Sequence, residues 1–241
     1  CIPTTCGSGA ESTTFSVLYK KNKKYSLNNQ LMIPDFYSLI PEYLINMPKK
    51  IATPPALDVF AQTLESIMSL NSNKKSLKFS YKSLNILGKN IFKYLQTRNF
   101  HSTKEMAMAA NFAGKAINIS KTTGPHALSY IFTSKYGIPH GRAVFMSLKY
   151  FLQINYNGSS KNKSLQKKFK KIFSILKIKT FKELENIIDN LSKNYTINIY
   201  KIRHEIKSNP YIFVKSVNIE RLKNNPIKIN NKTLKEIINS I

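Results

Sequence analysis

Acidic residues are scarce in this chain. Twelve aspartates and glutamates stand against 38 lysines and arginines, and the aspartates are only Asp35, Asp58 and Asp189. Cysteine is scarcer still, with Cys1 and Cys6 in a glycine-bearing loop. Two thiols so close in sequence make a poor structural disulfide and cannot ligate zinc alone, so nothing argues against a reducing cytoplasm. No apolar run approaches the roughly 18 residues of a membrane span, which excludes that class of membrane partner. The opening CIPTTCGSGA has neither a basic n-region nor an apolar h-region, and the expected location is the cytoplasm. The chain opens on Cys1, in what reads as the middle of a longer sequence.

What is abundant is lysine. A formal charge of +26 invites a nucleic-acid partner. The lysines, however, arrive with asparagine and isoleucine, as in NKKYSLNNQ, SSKNKSLQKKFKKIF and RLKNNPIKINNKTLKEIINSI. That blend is expected of an A/T-rich coding sequence, where surface positions drift towards lysine and asparagine. No RNP stretch or paired zinc knuckle accompanies it, so a solvated basic surface is expected and no nucleic-acid partner. Such a field would still draw in an anionic small substrate. With 42% hydrophobic residues over 241 positions, the chain has enough material for a proper core.

The pattern changes near residue 45. Before it, TTFSVLY is β-branched and aromatic, and LMIPDF follows KKNKKYSL, which predicts strand, turn, short strand and loop with no helix. After it, PALDVFAQTLESIMSL spaces apolar residues as a helix does, with Pro54 and Pro55 at its front. KSLKFSYKSLNILGKNIFKYL predicts a second helix. HSTKEMAMAANFAGKAINIS predicts a third, with Ser102 and Glu105 as a capping pair and small residues suited to close packing. TGPHALSYIFTSKYG is a short helix ended by Gly137, and IPHGRAVFMSLKYFLQI is the next. SLQKKFKKIFSIL, TFKELENIIDNL and a last short helix in the tail complete the expectation. The fold class is mainly α: residues 1–45 as the remnant of an α/β domain, and residues 46–241 as a helical domain.

Two of the four histidines, His126 and His140, fall near the starts of consecutive predicted helices. Imidazole is the commonest nitrogen ligand of divalent metals, and two imidazoles need a carboxylate or thiolate to complete an anchored site. Asp58 stands at the front of an otherwise apolar helix, where a carboxylate needs a partner and a metal would supply one. On the residues alone two readings stay open: hydrogen-bonded core histidines, or one metal site with Asp58 facing both.

The motifs resemble those of the iron-containing (group III) alcohol dehydrogenases, which share their fold with glycerol dehydrogenase and dehydroquinate synthase. IPTTCGSGAESTTFSVLY resembles the family's TTxGTGSE loop and the strand after it. IPDFYSLIPEYLINMPKKIATPPALDVFAQTLES is similar to the stretch leading into the metal-bearing helix, and AANFAGKAINISKTTGPHALSYIFTSKYGIPHGRAV to the paired-histidine segment. Within the family, AINISKTTGPHALSY followed by YGIPHG is most similar to phosphonoacetaldehyde reductases.

The resemblance implies Asp58, His126 and His140 as ligands of Fe²⁺ or Zn²⁺. The family's further histidine, one turn after the aspartate, is Gln62 here, a poorer ligand whose amide oxygen could face the metal or a metal-bound water. The resemblance also implies that Thr4, Thr5, Gly7, Ser8 and Gly9 contact NAD or NADP. Arg142, a departure from the family, could meet a phosphonate bidentately or simply lie on a helix surface. The implied activity is reduction of a small aldehyde, phosphonoacetaldehyde, to 2-hydroxyethylphosphonate.

The family's glycine-rich pyrophosphate turn should precede Cys1, and no GxGxxG-like run occurs in the chain. The chain therefore resembles the C-terminal part of such an enzyme. Expected consequences are weak nicotinamide binding by this part alone and an open sheet edge that favours poor solubility or association through that edge, as in a homo-oligomer. The alternative expectation is a non-catalytic helical remnant or binding module that keeps the metal pocket.

Overall fold

The computed structural model describes residues 1–20, 23–193 and 200–241. They divide into two compact units, residues 1–67 with 71–121, and residues 68–70 with 122–241. The first unit thus joins residues 1–45 to the helices that follow them. No described helix is long and apolar enough to cross a membrane.

The first unit opens with a loop and one turn of 3-10 helix, Ala10–Ser12, followed by the strands β1 (Phe15–Lys20) and β2 (Lys23–Asn28). They form an antiparallel hairpin with Phe15 opposite Asn28 and Leu18 opposite Tyr25. The strand predicted from TTFSVLY is present as β1, but the second strand falls in KKYSLN ahead of LMIPDF, and residues 21 and 22 of the expected turn lie outside the described residues. The helix-free expectation for residues 1–45 fails at a second 3-10 turn, Gln30–Met32, and at the four-residue α1 (Glu42–Ile45).

The longer helices are α2 (Lys49–Met68), α3 (Lys74–Thr97) and α4 (Phe100–Ser120). Helix α2 starts a turn earlier than its prolines suggest. The Pro48 carbonyl accepts from Ile51 and Ala52, which places Pro54 and Pro55 inside the helix. Their missing N–H groups leave free the carbonyls of Lys50 and Ile51, two exposed residues where water can serve instead. Beyond the prolines α2 is buried all round, so its polar residues must find partners. Thr63 Oγ1 lies 2.9 Å from Ser83 Oγ, and Ser80 and Ser120 donate to Ser66 Oγ at 2.9 and 2.7 Å. The cap of α4 also differs from the expected Ser102–Glu105 pair. Asn99 is the N-cap, and its side chain accepts from the Ser102 backbone at 2.8 Å.

The second unit is built from α5 (Gly124–Tyr136), α6 (His140–Gly158), α7 (Lys163–Leu176), α8 (Phe181–Lys193), α9 (Tyr200–Ser208), α10 (Pro210–Lys215), α11 (Ile219–Lys223) and α12 (Asn231–Ser240). The sequence pattern predicts α5 to α8 and α12, while α9, α10 and α11 are short helices that it leaves unassigned. One core gathers Leu128, Phe132, Phe151, Ile206, Phe213 and Ile238. A second cluster stacks Tyr156 on Phe181, with ring centroids 4.6 Å apart and Phe169 edge-on.

Lys168 of α7 points its ammonium at the carbonyls of Met68 and Ser69, at 3.5 and 3.1 Å. Burial pulls its pKa from the ordinary 10.5 down to about 8. The folded chain therefore releases this proton before the unfolded chain does. Stability should rise with pH between about 8 and 10.5, and the burial penalty is constant below that window. The expected outcome is that Lys168→Met removes this slope, measured as wild type minus variant in urea unfolding at pH 7.5, 9 and 10.

Candidate metal centre

In the second unit, local chain chemistry sets the two histidines side by side. Pro125 sits in the first turn of α5, where its missing N–H costs nothing. Gly124 beside it has no room for a side chain, since a Cβ would lie 2.2 Å from the Phe151 ring. His126 follows, buried at 5% exposure. Helix α5 ends at Gly137, in the left-handed region at φ 65°. The Gly137 N–H reaches the Thr133 carbonyl at 3.2 Å, and the Ile138 N–H reaches back to Phe132 at 3.1 Å, closing the helix end.

Buried Ile138 pins the turn, and the Pro139 carbonyl accepts from Arg142 and Ala143 to start α6. His140 is thus the first residue of α6. The imidazoles of His126 and His140 lie with ring centroids 5.3 Å apart and planes 72° apart. The two helix starts thus set the two imidazoles side by side. Arg142 is half-buried and lies two residues beyond His140. Residues two apart leave a helix on different sides, so the geometry does not bring Arg142 onto the imidazole side.

In the first unit, Asp58 lies on α2 and is 7% exposed. Pro55 and Gln62, three residues before it and four after, share its helix face. Gly7 lies on that face: a Cβ on it would be 2.6 Å from Pro55 Cβ, and the Gln62 Nε2 donates to its carbonyl at 3.0 Å. Gly9 makes the second seat, on α4. It takes φ 63°, and a Cβ there would meet the Ala110 carbonyl at 2.5 Å and Gly114 Cα at 2.7 Å. The small residues of AANFAGKA thus accommodate this loop. Asn111 of α4 then donates to Glu11 Oε1 at 2.9 Å and Ser12 Oγ at 2.7 Å.

The loop is therefore two-sided. Cys6, Gly7 and Gly9 are buried against the helices, while Thr4, Thr5 and Ser8 are exposed. Burial pushes the Cys6 thiol up to about 11, so at neutral pH it is a protonated packing group and not a nucleophile.

Sequence reasoning missed the groups that hold these segments. Asn224, 6% exposed, donates from Nδ2 to the Thr122 carbonyl at 3.0 Å, and its Oδ1 accepts from Ser69 Oγ at 2.9 Å. Arg221 donates to the Thr122 hydroxyl. Asn225 exchanges amide hydrogen bonds with Asn155 of α6, at 2.9 and 3.2 Å. The one available signal was the doublet Asn224-Asn225 ahead of Pro226.

Residues 51–241 match the family model described as "Fe-containing alcohol dehydrogenase family, C-terminal". The chain belongs to the iron-containing alcohol dehydrogenase family. It is similar to 4-hydroxybutyrate dehydrogenase of Clostridium kluyveri, with 24% identity over 85% of this chain and 57% of the relative. It is also similar to phosphonoacetaldehyde reductase of Streptomyces viridochromogenes, with 29% identity over 64% of this chain and 40% of the relative. The chain thus spans about half the length of these relatives. Among solved structures, sulfoacetaldehyde reductase from Bifidobacterium kashiwanohense in complex with NAD+ superposes with a TM-score of 0.86. That match covers 99% of this chain and 63% of the other at 24% identity, which shows the fold.

Proposed function

We propose that this chain carries the metal-binding part of an NAD(P)H-linked aldehyde reductase, with Asp58, His126 and His140 as the ligands of one Fe²⁺ or Zn²⁺. The observation that carries the reading is the convergence of His126 and His140, from two separate helix starts, to 5.3 Å between rings. A buried carboxylate and two imidazoles fit the donor chemistry of a catalytic metal, with coordination positions left open for substrate. Such a metal supplies Lewis-acid polarisation of the aldehyde, and the nicotinamide supplies hydride.

The chain's own residues orient and shield. The α2 and α4 seats hold Gly7 and Gly9, so the loop presents the exposed hydroxyls of Thr4, Thr5 and Ser8 for cofactor contact. Residues 1–45 serve as the closing segment of the nucleotide-binding domain, and residues 46–241 as the metal-binding domain. The proposed substrate is phosphonoacetaldehyde. Supporting it are the phosphonoacetaldehyde reductase relative and a net charge that draws anions. Arg142 is not part of the proposed site, because it leaves α6 on a different side from His140.

Elemental analysis of the purified chain tests the ligand set. The expected result is about one iron or zinc per chain, falling to roughly a tenth or less in His126→Ala while circular dichroism stays helical. A folded wild-type chain without metal would sink this reading and leave the non-catalytic remnant in its place.

A further inference from the structure

Helix α2 meets the 4–9 loop at Gly7, and it does so on the face that carries Asp58. Pro55 lies under Gly7 one turn before Asp58, and Gln62 bonds to Gly7 one turn after it. The Gly7 carbonyl is an acceptor only, so the group facing it must be the amide nitrogen of Gln62. Both residues are buried, Gln62 at 1% exposure. Water is therefore not at hand to replace the amide if it is lost. A buried carbonyl left without a donor is costly, and the loop would have to lift off α2 to recover one.

From this geometry we infer that Gln62 is a positioning residue: its amide fixes the cofactor loop onto the metal-bearing helix, and it does not ligate the metal. The inference deepens the proposed function and rests on that reading for the metal and for the cofactor contact of the loop. Its consequence is mechanical. Asp58 and Gly7 share one helix face, so the Gln62 hydrogen bond is the polar tie on α2 that, beside the Pro55 and α4 seats, sets the placement of a nicotinamide on the loop relative to the carboxylate. An acceptor-only side chain of the same length cannot do this, and neither can an apolar one.

Two variants of the full chain separate positioning from ligation. Gln62→Met keeps the length and removes the donor, while Gln62→Glu removes the donor and supplies a stronger metal ligand. Hydrogen exchange across residues 4–9 reports the loop, and Co²⁺ titration followed by absorption reports the metal. The expected result is loop exchange about tenfold faster in both variants, the loss of one buried hydrogen bond. The Co²⁺ affinity of Gln62→Met should stay within about threefold of wild type, far from the loss expected for His126→Ala. Unchanged loop exchange in both variants would overturn the inference. So would a Gln62→Met variant as weak for Co²⁺ as His126→Ala whose affinity Gln62→Glu restores. If wild type itself binds no Co²⁺, the proposed ligand set fails, and loop exchange alone decides the role of Gln62.

Discussion

Asp58→Asn is expected to give a folded chain that no longer gains stability from iron or zinc. The substitution keeps the size of the side chain and one carbonyl oxygen, and it removes the only negative charge in the proposed ligand set. Two neutral imidazoles and an amide bind a divalent cation far more weakly than two imidazoles and a carboxylate. Changes to groups that merely support metal ligands cost about 10- to 100-fold in affinity, so loss of a charged ligand should cost at least about 100-fold.

The consequence for stability follows from mass action. A metal that binds only the folded chain stabilises it by about 2.7 kcal/mol at a hundredfold excess over its Kd. For a chain of this size that is roughly 5–10 °C in Tm. At the same metal concentration Asp58→Asn should show a shift near zero. Because Asp58 is 7% exposed, the metal-free Tm of the variant is the needed control. The decisive measurement is the difference between scans with Zn²⁺ and with a chelator. A full metal-dependent shift in the variant would remove Asp58 from the ligand set.

Much of this site was legible in the sequence because its signals are local. Gly137 stops a helix wherever it falls, Pro125 and Pro139 mark helix starts, and the spacing of His126 and His140 follows from those breaks. Asp58 was legible as an acid in an apolar helix pattern. What stayed hidden was set by residues far apart in the chain. Gln62 and Gly7 are 55 residues apart, and nothing in either stretch announces the hydrogen bond between them.

Asparagine was misjudged for a related reason. Its abundance reads as compositional drift on a lysine-rich surface. Yet Asn73, Asn99, Asn162, Asn218 and Asn230 are N-caps whose side chains accept from the first turns of α3, α4, α7, α11 and α12. Capping also explains one helix that the periodicity did not assign. With only five residues, α11 carries no measurable apolar stripe and is defined by its Asn218 cap.

The strongest case is Asn224, where Asn224→Ala is expected to destabilise the chain by about 2–4 kcal/mol. Its Nδ2 holds the Thr122 carbonyl and its Oδ1 receives the Ser69 hydroxyl. Truncation leaves a buried carbonyl and a buried hydroxyl seeking partners, at about 1–3 kcal/mol each. The Ser69 hydroxyl can rotate, which lowers the sum. The bond from the Leu70 N–H to the Asn224 carbonyl survives, because it uses backbone on both sides.

Thr122 stands just before α5, so releasing it frees the helix start that positions His126. The same variant should therefore bind Zn²⁺ about 10-fold more weakly, as loss of a ligand's support does. Asn224→Asp discriminates the two bonds. A carboxylate keeps the acceptor for Ser69 but cannot donate to the Thr122 carbonyl, so it should lose metal affinity as the alanine variant does. If Asn224→Asp bound metal like wild type, the Thr122 bond would be irrelevant to the histidines, and the role of Asn224 would reduce to its hold on Ser69 and Leu70 at the end of α2.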